Sequence, residues 1–172
     1  STEAIEREAR RVNELHSHVN GKYPAKDGKT QSYSARDARH LLWVHCAFTD
    51  SFLRAHLELG YPISLGADRY VQEWSKSAIP LGLNSAPQSA LELQETIDGF
   101  VLNEVETIGM TPPIVRFILK PPFSRGGLFF YRILANAAIA TIDEPFLKVL
   151  GLKKRSKIWL RVSRRLLDFL SY

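Results

Sequence analysis

Two histidines carry the side-chain chemistry that most needs an explanation, because each lies on the apolar stripe of a predicted helix. His16 continues a series formed by residues 5, 9 and 12, with steps of four, three and four. His45 lies in a similar series with Leu41, Phe48 and Phe52. A buried imidazole requires a hydrogen-bond partner, a metal or a cofactor. These two positions are therefore the first candidates for a functional site.

The spacing around His16 excludes a metal cluster built on one helix, because Val19 and Asn20 occupy the positions three and four residues on. A mononuclear zinc or non-haem iron site would need further ligands from elsewhere in the chain. Haem needs only one axial imidazole in apolar surroundings. A core histidine bonded to a carbonyl group remains the alternative for both His16 and His45. We expect His18 and His40 to lie on the surface, and His56 to share the broad face of His45's helix.

Other catalytic constellations are weak in this chain. Cys46 follows His45 directly, but neighbouring helix positions diverge by about 100° and do not form a nucleophile pair. Glu104 and Glu106 face different ways, and Asp50 is placed to pair with Arg54. With one cysteine the chain has neither an internal disulfide nor a cysteine-based metal cluster.

Length and composition predict a single globular domain over residues 1–172, with 45% hydrophobic and 24% charged residues. The net charge of +5 is concentrated in the basic segment 153–165, which indicates either an anionic partner such as a membrane surface or a solvated helix face. No nucleic-acid-binding motif is present, and no apolar run reaches 18 residues. We expect a cytoplasmic or membrane-peripheral protein, with a homodimer as one expected state.

Helical periodicity recurs along the chain, and two-residue strand alternation is absent, which predicts an all-α fold. Ser34 with Asp37, and Ser89 with Glu92, read as capping boxes, and residues 22–32 read as a surface loop. The apolar segment 128–139 is expected to be buried or to lie against a membrane. The predicted helical stretches, which we expect to form a bundle of about seven helices, cover residues 2–19, 34–59, 64–80, 89–103, 111–120, 128–139, 143–151 and 156–170.

Three strings of residues resemble a known family. They are Val12-x-x-x-His16-x-x-Val19-x-Gly21, then Tyr33-Ser-Ala35-Arg-Asp37, then Leu41-Leu-Trp43-Val44-His45. The chain resembles the family of the endoplasmic-reticulum-bound oxygenase MpaB and the rubber oxygenases (latex clearing proteins). The resemblance continues through Tyr70, Trp74 and residues 81–82 to residues 151–152, and thus covers most of the chain.

The resemblance implies a globin-like helical core that holds haem b and acts with dioxygen on an apolar, isoprenoid-type substrate. It places His16 at the position of the axial iron ligand and His45 at a supporting position. We therefore take His16 as the metal ligand and His45, Leu41, Trp43, Phe48 and Phe52 as cofactor-binding candidates, with core packing as the alternative for the last four. The family also has an arginine and a threonine on a helix upstream of this histidine, and Arg7, Arg10 and Arg11 do not match them. We expect the chain to lack that N-terminal portion of the family.

A rival hypothesis is a non-enzymatic helical module that binds a partner, a membrane surface or an apolar ligand. The apolar segment 128–139 and the basic amphipathic segment 156–170 motivate it.

Overall fold

The protein is described here by a computed structural model that covers residues 2–24 and 29–171. These residues contain eight helices and one two-stranded antiparallel sheet, which confirms a predominantly α-helical fold. The eight helices correspond to the eight predicted stretches, one more than the expected bundle of about seven, and the globin-like arrangement stays a prediction. The elements are α1 (Thr2–Ser17), β1 (Asn20–Pro24), β2 (Thr30–Ser34), α2 (Ala38–Leu59), α3 (Gly66–Ser75), α4 (Ala90–Asn103), α5 (Thr111–Leu119), α6 (Arg125–Thr141), α7 (Glu144–Leu150) and α8 (Ile158–Leu170).

The segment expected to be a surface loop over residues 22–32 is instead a β-hairpin. Strands β1 and β2 pair from Asn20 with Ser34 to Pro24 with Thr30. Tyr23 Oη donates a hydrogen bond of 2.8 Å to Gln31 Oε1 across the pair. The expectation was wrong because almost all of the described hairpin side chains are exposed, so no inward–outward alternation marks the strands. The turn that joins them, residues 25–28, lies outside the described residues.

The start of α2 differs from the predicted capping box. Ser34 ends β2, and α2 begins at Ala38, directly after Asp37. Asp37 Oδ1 accepts a hydrogen bond of 2.8 Å from the backbone N–H of Arg39. Asp37 is therefore the N-cap itself, because its short carboxylate reaches the second amide of the helix. The other predicted cap is confirmed, since Ser89 Oγ accepts from the N–H of Glu92 at 3.1 Å.

The chain divides into two compact units. Unit 1 comprises residues 1–52 and 64–98, and unit 2 comprises residues 53–63 and 99–172. In unit 1 the buried side chains come from α1, α2, α3, α4 and the turns after α3, and they include Ala9, Cys46, Thr49, Val71, Ala78, Leu83, Leu93 and Ile97. Unit 1 holds both candidate histidines.

Unit 2 is built on the packing of α6 against α8. Ala137, Ala140 and Leu160 form a buried cluster that Leu59 and Trp159 cover. Two ion pairs join residues 53–63 to the other part of unit 2. Arg54 Nη2 lies 2.8 Å from Asp143 Oδ2, and Lys157 Nζ lies 3.0 Å from Glu58 Oε2. The predicted segment 128–139 is thus part of α6 and is buried at its C-terminal end, while Phe129 and Phe130 are exposed.

Candidate functional site

The position of His16 follows from the amphipathic pattern of α1. Ala9 is buried, and one turn later Asn13 Nδ2 donates a hydrogen bond of 3.0 Å to the carbonyl oxygen of Pro80. Ala9, Asn13 and His16 are spaced by four and three residues, so they share one face of α1. His16 lies in the last turn of that helix, and its side chain is half-buried. The face that carries His16 is therefore the one that packs onto the rest of unit 1.

The imidazole of His16 has an unusual hydrogen-bonding state. Its Nδ1 atom is buried and has no hydrogen-bond partner among the described residues. A buried polar atom without a partner costs free energy that a ligand or a metal would recover. His16 thus differs from a core histidine bonded to a carbonyl group, because its Nδ1 makes no such bond among the described residues.

His45 lies in a different environment from His16. It is only 8% exposed, and its carbonyl oxygen accepts a hydrogen bond of 2.7 Å from the hydroxyl of Thr49. Burial lowers the pKa of His45 below its usual value of 6.5, because the cation would lose hydration. At neutral pH its side chain is therefore a neutral imidazole with one N–H donor and one nitrogen acceptor.

Cys46 is completely buried beside His45 in the sequence. Burial raises the pKa of its thiol to about 11, and Asp50 also favours the protonated form. A protonated, inaccessible thiol is not a nucleophile. The structure therefore agrees with the sequence-based rejection of a Cys46–His45 catalytic pair.

Phe48 and Phe52 are not core residues. They are 55% and 48% exposed, and with Val44 they form an open apolar stripe on α2. The buried side of α2 is instead centred on Cys46 and Thr49. The sequence placed His45, Phe48 and Phe52 on one buried face, whereas the structure turns the two phenylalanines out of that face. Core packing is therefore not their role.

Four rings from α2 and α3 form a continuous aromatic row. The Phe48 and Phe52 centroids lie 6.2 Å apart, and Phe52 stacks on Trp74 at 5.5 Å with an interplanar angle of 16°. Tyr70 extends the row, 6.4 Å from Trp74. Sequence reasoning named Tyr70 and Trp74 only as part of the family resemblance. Their helical spacing of four residues was the signal that could have placed them together.

The other two cofactor-binding candidates lie at the N-terminal end of α2. Leu41 and Trp43 are both half-buried. Leu41 Cδ1 lies 3.6 Å from the position that a Cβ atom would occupy on Gly82, where φ is +101°. Leu41 thus packs on the turn at Gly82. Neither it nor Trp43 belongs to the exposed stripe of Val44, Phe48 and Phe52.

The remaining histidines differ in exposure. His18 and His56 are exposed. His40 is partly exposed, in keeping with the expected surface position, but its Nδ1 is buried without a hydrogen-bond partner. The His40 ring lies 4.8 Å from the ring of Tyr33, and its Nδ1 lies 3.9 Å from Asp37 Oδ1. His40 covers the end of the hairpin at the start of α2, so its burial has a local structural cause.

No group of three or more His, Cys, Asp or Glu side chains within residues 2–24 and 29–171 is arranged to hold a metal ion. The side chain of His16 forms no hydrogen bond, ion pair or ring contact with any residue described. A prosthetic group that brings its own equatorial ligands would need only this one side chain. Within the same ranges, no helix combines the length and the hydropathy that crossing a bilayer requires.

The sequence also matches a known protein family. A family model described as "ER-bound oxygenase mpaB/B'/Rubber oxygenase, catalytic domain" matches residues 1–171. No curated protein and no solved structure was found to match the chain.

Proposed function

The chain belongs to the family of the ER-bound oxygenase mpaB and the rubber oxygenases, in their catalytic domain, and from this membership we propose a haem b-dependent oxygenase. The substrates are dioxygen and an apolar molecule, for which we propose the isoprenoid class. The observation that carries the proposal is the family match over residues 1–171, and the unpartnered imidazole of His16 on the inward face of α1 supports it.

Two separate features of unit 1 are compatible with a haem group. First, the His16 imidazole has no side-chain partner among the described residues, and one imidazole could serve as the protein ligand of a haem. Second, the aromatic row of Phe48, Phe52, Trp74 and Tyr70 offers an open apolar surface of the kind that flat, apolar molecules bind. Such an exposed aromatic surface on a folded chain is typical of a binding site.

In this proposal the residues have separate roles. His16 would hold the iron through one imidazole nitrogen. When bound, the haem would supply redox-active iron for the reaction with dioxygen. Phe48 and Phe52 would provide an apolar surface against which the substrate lies. His45 stays neutral at physiological pH because burial lowers its pKa, so it serves as a hydrogen-bonding group at a supporting or distal position.

An absorbance spectrum tests this proposal. Protein expressed with excess haem precursor is expected to show a Soret band, and His16→Gly is expected to abolish it. Added imidazole is expected to restore the band in His16→Gly, because a free imidazole replaces the missing ligand. His18→Gly is the matched control, since His18 lies two residues away and is exposed.

One result would refute the haem assignment, and another would refute His16 as the ligand. One is a colourless, folded protein after haem-replete expression. The other is a His16→Gly variant that keeps the band while His40→Gly loses it, which would move the ligand to the second histidine with a partnerless nitrogen. If the band is present, dioxygen uptake on addition of squalene tests the isoprenoid class.

The surface of α8 favours a second candidate function, attachment to an anionic membrane surface. Ile158, Val162 and Phe169 are exposed and lie on one face of the helix, at steps of four and seven residues. Arg161 and Arg165 are exposed on the same side. An apolar stripe bordered by arginines is the pattern of helices that lie in a membrane interface.

Liposome flotation tests this candidate. Vesicles with anionic lipid are expected to carry the protein to the top of the gradient, and neutral vesicles are not. Arg161→Gln with Arg165→Gln is expected to reduce flotation strongly, whereas the matched pair Lys153→Gln and Arg155→Gln, outside α8, is expected to have a smaller effect. Equal flotation with neutral vesicles would exclude the electrostatic part, and no flotation with either would exclude the candidate.

A further inference from the structure

Unit 2 contains a cavity of about 390 Å³ between the start of α5 and the end of α7. Its volume lies in the range of small-molecule binding sites. None of the residues that line it belongs to the site described above, so it needs its own explanation.

Hydrogen bonds fix the wall of this cavity. Thr107 Oγ1 donates to the carbonyl oxygen of Val149 at 2.6 Å, which ties the segment before α5 to the last turn of α7. Thr111 Oγ1 accepts from the backbone N–H of Ile108 at 3.0 Å. Gly151, with φ of +65°, ends α7 and donates its N–H to the carbonyl oxygens of Leu147 and Lys148. The carbonyl oxygens of residues 147–149 are therefore already satisfied by the chain.

The lining combines apolar side chains with cations. Pro112, Val115 and Leu150 provide an apolar surface, while Arg116 and Lys148 contribute two positive charges. Neither cation has an ion pair or side-chain hydrogen bond with any described residue, and no carboxylate side chain lines the cavity. The hydroxyl of Thr111 accepts one hydrogen bond and keeps its own O–H free to donate. The cavity therefore offers the donors of Arg116, Lys148 and Thr111, and no negatively charged group opposes an anion.

We infer that this cavity binds an organic monoanion with a short apolar tail, of the monocarboxylate class. Arg116 and Lys148 pair with the carboxylate, and the Thr111 hydroxyl donates to it. The tail lies against Pro112, Val115 and Leu150. This site requires no haem and goes beyond the proposed oxygenase activity.

Isothermal titration calorimetry of the full chain with octanoate tests the inference. Saturable binding at one site is expected, with a Kd of about 1 mM or tighter. Octan-1-ol, which lacks the charge, and acetate, which lacks the tail, are both expected to bind more weakly. Raising the salt concentration is expected to weaken octanoate binding, because the paired charges are partly exposed.

Variants decide whether this cavity is the site. Arg116→Gln and Lys148→Gln are each expected to raise the Kd for octanoate by roughly fivefold, as expected for an exposed charge pair. Lys120→Gln is the matched control, because it removes the same charge just after α5 and Lys120 does not line the cavity. Absence of saturable binding, equal binding of octan-1-ol, or an equal effect of Lys120→Gln would each overturn the inference.

Discussion

At the scale of single residues, the two candidate histidines differ in what surrounds them rather than in their position on a helix. His45 is buried in the protein interior, and its pKa is lowered by lost hydration. His16 is half-buried, with one nitrogen that no described group satisfies. The environment of His45 keeps its imidazole neutral, and the environment of His16 leaves one imidazole nitrogen without a hydrogen-bond partner. Sequence periodicity places both residues on inward stripes but does not distinguish these two environments.

The lowered pKa of His45 predicts how stability depends on pH. The unfolded chain protonates His45 near pH 6.5, whereas the folded chain protonates it only at lower pH. The unfolded state therefore binds more protons, and the free energy of unfolding falls as the pH falls below 6.5. Urea unfolding at pH 7.5 and 5.5 is expected to show a smaller loss for His45→Gln than for the wild type. His18→Gln is the exposed control, and a His45→Gln variant with an unchanged pH dependence would contradict the prediction.

Cys46 gives a second prediction at this scale. Because the thiol is buried and its pKa is raised to about 11, it is protonated and inaccessible at pH 8. Ellman's reagent is expected to react with Cys46 only after guanidinium unfolds the chain. Reaction of the native protein at the rate of the unfolded protein would show that this part of α2 opens readily.

At the scale of elements, the start of a helix could be predicted where a side chain accepts a hydrogen bond from the nearest backbone amides. Ser89 was assigned as a helix cap from the sequence, and its hydrogen bond from the N–H of Glu92 confirms this. The start of α2 was placed too early because Ser34 and Asp37 match a capping box, although Ser34 belongs to the hairpin. Ser34 pairs with Asn20, which lies 14 residues earlier in the chain. A short sequence pattern does not contain this non-local pairing, so it could not show that Ser34 belongs to a strand and not to a helix cap.

The N-cap of α2 can be tested by substitution. Asp37→Ala removes the acceptor for the N–H of Arg39 and is expected to lower the free energy of unfolding by about 1 kcal/mol. Asp37→Asn keeps a capping side chain and is expected to cost much less. Chemical unfolding followed by circular dichroism measures both. An equal loss in the two variants would mean that the charge of Asp37 matters and its cap does not.

The aromatic row shows where element-scale reasoning ends. Helical spacing correctly put Phe48 and Phe52 on one side of α2, since four residues separate them. Spacing does not tell whether a neighbouring element covers that side. In the structure, Thr49 and Cys46 take the buried side and the two phenylalanines remain about half exposed. The sequence thus predicted which residues belong to the candidate site, but not that their side chains are exposed.

At the scale of the whole molecule, charge and exposed apolar surface act against each other. The net charge of +5 keeps molecules apart at pH 7, while exposed side chains such as Phe48, Phe52 and Phe169 favour association. Repulsion of this kind vanishes as the pH approaches the isoelectric point. Association through the exposed apolar side chains should therefore increase as the pH rises toward the isoelectric point.

This balance gives the last prediction. Static light scattering at fixed protein concentration is expected to rise as the pH is raised from 7 toward the isoelectric point of about 9.4. The rise is expected because the attraction between apolar surfaces persists after the charge repulsion is lost. Phe48→Ser with Phe52→Ser is expected to reduce the scattering near pH 9.4 and to change it little at pH 7. Because the two rings are about half exposed, the substitutions remove apolar surface while the chain stays folded. Scattering that stays flat through pH 9.4, or that the double variant leaves unchanged, would show that this aromatic surface does not drive association.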